Sequence, residues 1–248
     1  MNTTKYKMLV LDLDDTLLRD DYSISEKTIN ALLTTQQIGV KVVLASGRPT
    51  LAMTQYAKML QQHDFDSYMI SFNGAVVSST RTNEVIFETS LTQSEIHSLY
   101  DFSVEHGVHI ITYSDKGIVS ETHSEYIDVE LKLTGIPHYK VPSFKDEVSY
   151  SAIKCILLEH PDYLKQVELV LKSQRTDLSV SRSKPFFLEV MPNGIDKAAS
   201  LDMLAKKLGY TPEQIIAVGN AGNDLSMIQY AGVGVWVDNV TPELRHLA

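Results

Sequence analysis

The stretch Y-K-M-L-V-L-D-L-D-D-T at residues 6–16 decides how the rest of the chain is read. Tyr6–Asp12 is an apolar run of β type that stops at a set of acids. A helix is expected next: Ser25 stands as its N-cap, Ile29, Leu32 and Leu33 share one face, and Gly39 ends it. Val40–Ala45 is short and continuously apolar, the pattern of a parallel strand covered on both faces. Ser46-Gly47-Arg48-Pro49 breaks that strand, and a second helix is read to about Gln62. Tyr68–Phe72 is a third strand, closed by Asn73-Gly74. Strand, helix, strand, helix, strand predicts an α/β fold with a doubly wound, Rossmann-like parallel sheet.

After about Asn83 the texture changes. Val85–Glu88 reads as a short strand, and Thr92-x-x-Glu95 as a capping box opening a helix that Gly107 ends. Further strands are expected at His109–Tyr113, Gly117–Glu121, Ser151–Leu158, Leu178–Arg182 and Phe186–Val190, with a helix over about Tyr163–Lys172. Gly135–Val148 carries two prolines and reads as a loop around a short extended piece. Past Pro192 the first texture returns. Asp196 caps a helix with Leu201, Leu204, Ala205 and Leu208 inward, Gly209 stops it, and Ile215–Val218 is a strand. The expected organisation is therefore a core of residues 1–82 plus 190–248, interrupted by an inserted α+β cap domain at 83–189.

The chain has 248 residues and a formal net charge of −9, which excludes a general nucleic-acid binder, because phosphate backbones recruit basic faces. No apolar run approaches the length of a membrane span, and the N-terminal sequence meets acids before a signal-peptide core forms. A cytoplasmic protein with no membrane and no nucleic-acid partner is expected. Cys155 is the only cysteine, so neither an internal disulfide nor a thiolate cluster is possible. The eight histidines show no metal-ligand spacing.

Open α/β sheets bind ligands just past the carboxyl ends of their strands. Asp12, Asp14, Asp15 and Thr16 follow the first strand, and Ser46 and Arg48 the second. Lys197 stands in the first turn of the helix after the insertion, and Gly219-Asn220-Ala221-Gly222-Asn223-Asp224 follows the last strand. Asp12 and Asp14 would share a face if the strand stayed regular. Like charges that close call for a cation, and Mg²⁺ suits because it prefers oxygen ligands and keeps positions open for water and phosphate. One carboxylate could then attack phosphorus while the other handles the proton. Ser46 and Lys197 would supply a hydroxyl and a positive charge to the phosphoryl oxygens, aided by a helix N-terminus. Taken singly, each of these features is an ordinary turn or cap. Taken in order, they specify metal-assisted phosphoryl transfer.

The same motifs resemble those of the haloacid dehalogenase superfamily of phosphatases, in its Cof-type branch with a large α/β cap. D-x-D-D-T at Asp12–Thr16, S-G-R-P at Ser46–Pro49, N-G-A at Asn73–Ala75, G-I-D-K at Gly194–Lys197 and N-D-L-S-M at Asn223–Met227 carry the likeness. The resemblance implies that Asp12 is the nucleophile, forming an aspartyl-phosphate, and that Asp14 is the general acid/base and lends its carbonyl to Mg²⁺. It implies that Ser46, Lys197 and Asn223 hold the phosphate, Lys197 also orienting Asp12, and that Arg48 and Asn73 line the mouth where cap and substrate meet. The implied substrate is a small phosphorylated metabolite, with sugar phosphates the expected class.

Two departures stand out. The family's fourth motif usually reads G-D-x-x-N-D, with its first acid on the metal, and here that position is Asn220. Weaker Mg²⁺ binding is expected, with Asp224 as a compensating ligand. Family members also usually continue beyond the Gly232–Trp236 region with another strand and helix, so an incomplete or partner-shielded sheet edge is expected. Cap contacts to the leaving group are sought in Gly117–Ser124 and Ser181–Phe187, Arg182 and Lys184 included. Three other readings use the same residues: a weak or inactive phosphometabolite-binding homologue, a phosphomutase or phosphotransferase, and a phospho-acceptor receiver domain. The receiver needs neither the insertion nor Asp14.

Overall fold

The computed structural model describes residues 5–247. The chain forms two compact units, one from the residues up to Glu88 together with Asp196 onward, the other from Thr89–Ile195.

The first unit begins with β1 (Met8–Leu11), α1 (Glu26–Gln37), β2 (Lys41–Ala45), α2 (Thr50–Met59), β3 (Tyr68–Ser71), β4 (Val76–Ser79) and β5 (Val85–Glu88). Ser25 caps α1, its hydroxyl accepting from the Thr28 N–H. The second helix stops at Met59, short of Gln62, because Gln61 turns left-handed at φ 52°. β3 ends one residue earlier than the sequence suggests, because Phe72 and Asn73 also adopt positive φ.

The second unit holds α3 (Gln93–Glu105), β6 (His109–Tyr113), β7 (Ile118–Ser120), α4 (Glu125–Thr134), β8 (His138–Lys140), α5 (Phe144–Glu147), β9 (Cys155–Leu158), α6 (Pro161–Gln174), β10 (Leu178–Lys184) and β11 (Phe187–Pro192). The chain then re-enters the first unit with α7 (Lys197–Leu208), β12 (Ile215–Gly219), α8 (Leu225–Tyr230) and β13 (Val233–Trp236).

The first sheet has the order β13-β12-β1-β2-β3-β4-β5, parallel through β3 and antiparallel beyond it. Alternate residues of its central strands feed two cores. Val10, Val43 and Ala217 pack with Leu201 and Leu204 of α7 on one face. Leu11, Val42 and Leu44 pack with Leu32 of α1 and Met53 of α2 on the other. Helices on both faces explain why β2 carries no exposed residue. All the parallel strands point their carboxyl ends the same way, so the loops after β1, β2, β3 and β12 open at one rim.

The second sheet, β10-β11-β9-β6-β7-β8, is antiparallel except where β7 meets β8. α3 and α6 cover one face through Leu99, Phe102, Leu164, Val167 and Leu171. The parallel β7–β8 pair needs a crossover connection, and α4 supplies it.

Three expectations change. Residues 83–88 belong to the first unit, because β5 pairs with β4 (Val77 with Phe87) in the first sheet. Residues 190–195 belong to the second, because β11 runs unbroken between β9 and β10. The boundaries expected at 83 and 189 therefore both move later. β4 and α4 were not read from the sequence at all. Among the described residues, no helix is long and apolar enough to cross a membrane.

Candidate active site

β1 ends at Leu11, and Asp12 still donates its N–H to the Val218 carbonyl of β12 at 3.0 Å. The chain then tightens into a five-residue turn closed by Leu17 N–H on Asp12 O and Leu18 N–H on Leu13 O. Leu13, fully buried, pins the turn to the core, while Asp14 is extended (φ −68°, ψ 128°) and Asp15 left-handed (φ 57°). Strand regularity is lost at this point, so Asp12 and Asp14 do not form a simple same-face pair. Each carboxylate has its own cation: Lys197 for Asp12, Arg48 for Asp14. Separate partners relieve the repulsion that two acids so close would otherwise carry.

Lys197 is the first residue of α7, whose N-cap Asp196 accepts from the Ala199 N–H at 3.0 Å. Its ammonium lies inside the sheet rim and joins three strand ends. It donates to Asp12 Oδ1 at 2.8 Å, to the Ala45 carbonyl closing β2 at 3.1 Å, and to Asp224 Oδ1 at 2.6 Å. Both the Lys197 and the Asp224 side chains are wholly buried. Burial works against the Lys197 charge, but Asp12 and Asp224 outweigh it, so its pKa rises and the ammonium stays charged. Asp12 is pushed up to about 6, first by burial, with Asp224 and Asp14 adding to the rise and Lys197 opposing it.

The second and third motifs form one interlocked corner. Ser46 is buried at the end of β2, and its hydroxyl oxygen accepts from the Arg48 N–H at 3.1 Å. The Asn73 N–H returns to the Ser46 carbonyl, and the Phe72 N–H to the Arg48 carbonyl. Gly74 lies at φ +108°, and a Cβ there would stand 2.5 Å from the Asp196 carbonyl oxygen. Only glycine lets this loop touch the start of α7. The Asn223 amide donates to Asn73 Oδ1 at 3.1 Å, tying the fourth motif to the third.

Arg48 was expected, with Asn73, to line the mouth where cap and substrate meet. Its guanidinium grips Asp14 in a fork, Nε to Oδ2 at 2.9 Å and an η nitrogen to Oδ1 at 2.6 Å. Burial acts against the Arg48 charge, and the bond to Asp14 reverses that, raising its pKa overall. In the second unit Arg182, considered for the leaving group, donates to Glu168 of α6 at 2.6 Å.

The loop after β12 folds over Asp224. Gly219 packs so closely that a Cβ would lie 2.5 Å from Asp224 Cβ. Asp224 Oδ2 accepts from the N–H groups of Asn220 and Ala221 at 3.0 and 3.1 Å, while Oδ1 holds Lys197. Both oxygens thus hold a protein donor, so Asp224 anchors Lys197 and the loop, and its expected part as a compensating metal ligand would draw on the lone pair left on Oδ1. Asn220 turns its amide oxygen toward the β1 loop, accepting from the Thr16 hydroxyl at 3.2 Å. The oxygen donors near Asp12 suit a hard cation, and two buried carboxylates share the one ammonium of Lys197. Burial is the first cause of the upward shift of Asp12, and a cation beside the carboxylate would oppose it. These residues fit Mg²⁺, although among the described residues no three Asp, Glu, His or Cys side chains gather as a ligand set.

The sequence reading missed Asn239, whose amide donates to the left-handed Asp15 carbonyl at 2.6 Å. The signal that could have found it is its position past the carboxyl end of β13, the rim where the other site residues lie. It also missed the rings of Tyr22 and Tyr56 beside Arg48, which no spacing pattern announces.

The sequence model of the family described as haloacid dehalogenase-like hydrolase matches residues 9–248. The Bacillus subtilis protein YxeH is 34% identical over 249 residues, covering 98% of this chain and 91% of its own length. The 5-amino-6-(5-phospho-D-ribitylamino)uracil phosphatase YitU of the same organism is 25% identical over 250 residues, covering 99% of this chain and 91% of its own. The crystal structure of a haloacid dehalogenase-like hydrolase from Bacteroides thetaiotaomicron superposes with a TM-score of 0.94 at 33% identity, covering 98% of this chain and 92% of that one. Likeness on this scale, reaching through every loop that meets at Lys197, makes the chain a member of the haloacid dehalogenase-like hydrolases, in their Cof-type phosphatase branch.

Proposed function

We propose that this protein is a Mg²⁺-dependent phosphatase of small phosphorylated metabolites, sugar phosphates foremost, acting through a phosphoryl group carried on Asp12. The observation that carries the reading is the buried Lys197 ammonium, 2.8 Å from Asp12 Oδ1 and shared with the ends of β2 and the β12 loop. Lys197 fixes Oδ1, which leaves Oδ2 as the attacking atom. A bond forms from Oδ2 to phosphorus as the bond from phosphorus to the leaving oxygen breaks, and Asp14 delivers a proton to that oxygen. Asp14 then takes a proton from water as the water oxygen bonds to phosphorus and the Oδ2–phosphorus bond breaks, restoring Asp12. Ser46, Lys197 and Asn223 hold the phosphoryl oxygens. Asp12, the Asp14 carbonyl and Asn220 are the residues that would hold Mg²⁺, which when bound neutralises charge on the transferring group.

The net charge of −9 suits a small substrate drawn by a local cation rather than by a broad positive field. The relative YitU, named for a phosphoribityl substrate, supports a sugar-like phosphate ester. Asn220 favours a second reading, a binding homologue with impaired turnover.

The test is hydrolysis of an aryl phosphate with Mg²⁺ and with EDTA, running Asp12→Asn alongside. Turnover that requires Mg²⁺ and disappears in the variant is expected, followed by a screen of sugar phosphates. Folded protein that binds phosphate esters yet turns over none of them would replace the phosphatase reading with the binding one.

A further inference from the structure

Tyr22 occupies a backbone conformation that suits it poorly. Its φ of 60° is left-handed, a region costly for a bulky residue, within a tight turn where its N–H reaches the Arg19 carbonyl and Arg19 N–H reaches the Ser23 carbonyl. Asp21 braces that turn by accepting from the Ser23 N–H and hydroxyl at 3.0 and 2.6 Å. The Tyr22 side chain gains little from burial, remaining 47% exposed. What the turn does is place the ring against Arg48, whose guanidinium carbon lies 5.1 Å from the ring centroid. The buried Tyr56 ring, at 5.7 Å, is a second aromatic partner of the same guanidinium. Arg48 is thereby only 11% exposed, while the Asp14 carboxylate it holds is 46% exposed.

We propose that Tyr22 is a positioning residue: with Tyr56 it restricts rotation of the Arg48 guanidinium, and the restricted fork fixes the direction of the Asp14 carboxylate. Aromatic faces attract a guanidinium and favour a stacked plane, so two rings leave the fork few orientations. A planar fork held in this way orients both carboxylate oxygens at once, and each oxygen keeps a further lone pair for a proton. The left-handed turn at Tyr22 is then strain retained for a site, the usual reason such strain persists. The inference rests on the reading of Asp14 as the acid/base of a phosphatase.

The experiment compares wild type, Y22F and Y22G by three readouts. These are kcat and KM on an aryl phosphate, thermal melting, and the ¹⁵N–¹H signal of the Arg48 Nε–H, assigned through R48K. Glycine removes the ring and also relieves the left-handed φ, so Y22G is expected to melt no lower than wild type. Its kcat should fall about three- to tenfold with KM changed less than about twofold. Its Arg48 signal should lose ring-current shift and exchange faster with water. Y22F keeps the ring and recovers kcat to within about twofold. A Y22G variant with wild-type kcat and an unmoved Arg48 signal overturns the proposal, and so does a Y22F variant as slow as Y22G. Should wild type itself turn over no phosphate ester, the phosphatase reading fails, and the Arg48 signal alone decides whether Tyr22 orders the fork.

Discussion

Replacing Asp224 by asparagine probes the arrangement on which the site depends. Asp224 accepts at both oxygens, from Lys197 on one side and from the Asn220 and Ala221 N–H groups on the other. An asparagine has a single acceptor oxygen, so whichever way the amide turns, its NH₂ faces a donor. The position is wholly buried, and no water can take over the missing bond. Leaving a buried donor or half of a buried ion pair unmatched places the loss at about 2–4 kcal/mol. For a unit of this size that is a fall of about 4–16 °C in melting temperature. Lys197 also loses one of its two carboxylate anchors, so kcat should drop about tenfold or more.

The assay is calorimetric melting with parallel rates, for D224N, K197M and the double variant. The double variant should lose at least about 1 kcal/mol less than the sum of the singles, because both changes break the same contact. Additivity to within about 0.5 kcal/mol, or a D224N protein as stable and active as wild type, would refute the claim that Asp224 anchors Lys197.

Asn220→Asp adds a negative charge at the oxygen that accepts from Thr16 and should tighten Mg²⁺ about tenfold, read by titration calorimetry and by the Mg²⁺ dependence of rate; an unchanged requirement removes the weakening idea. Cys155 is fully buried, and burial pushes its thiol from an ordinary 9.0 up to about 12, so disulfide reagents at pH 8 should leave the native protein unmodified and label it once in guanidinium. The sign of the linked effect follows: the contribution of this thiol to stability is complete below pH 9 and is lost as pH rises toward 12, because only the unfolded chain then ionises. Rapid native labelling, or no lessening of the alkaline loss in C155A, would contradict that burial.

Much of the first sheet was legible because its central parallel strands are short apolar runs, largely buried and bounded by turn residues. β1, β2, β3 and β12 could be read in this way, and so could α7 with its Asp196 cap and left-handed Gly209. β4 escaped because half of it is Ser78-Ser79, polar residues buried where a sequence pattern expects apolar ones. α4 escaped for a related reason. Its buried positions include Glu130 and Thr134, which interrupt the hydrophobic stripe. They are tolerated because Tyr113 donates to Glu130 at 2.6 Å and Thr134 to the Glu130 carbonyl at 2.8 Å. Such compensation comes from partners distant in sequence or one helical turn away, and periodicity does not record it.

The identities and order of Asp12, Asp14, Ser46, Lys197 and Asn223 belonged to the sequence, since strand-end positions in an α/β sheet converge whatever the details of the fold. The partners of Asp14 and Asp224 were decided only by tertiary structure. Asp12 and Asp14 go to different cations because the strand breaks between them, at a turn held by Leu13 beneath and Asn239 above. Asp224 became the anchor of Lys197 because Gly219 lets the β12 loop close over it and consume its second oxygen. Electrostatic pairing depends on distances of a few ångströms between segments up to about two hundred residues apart, such as Lys197 and Asp12, and the folded backbone alone sets those distances.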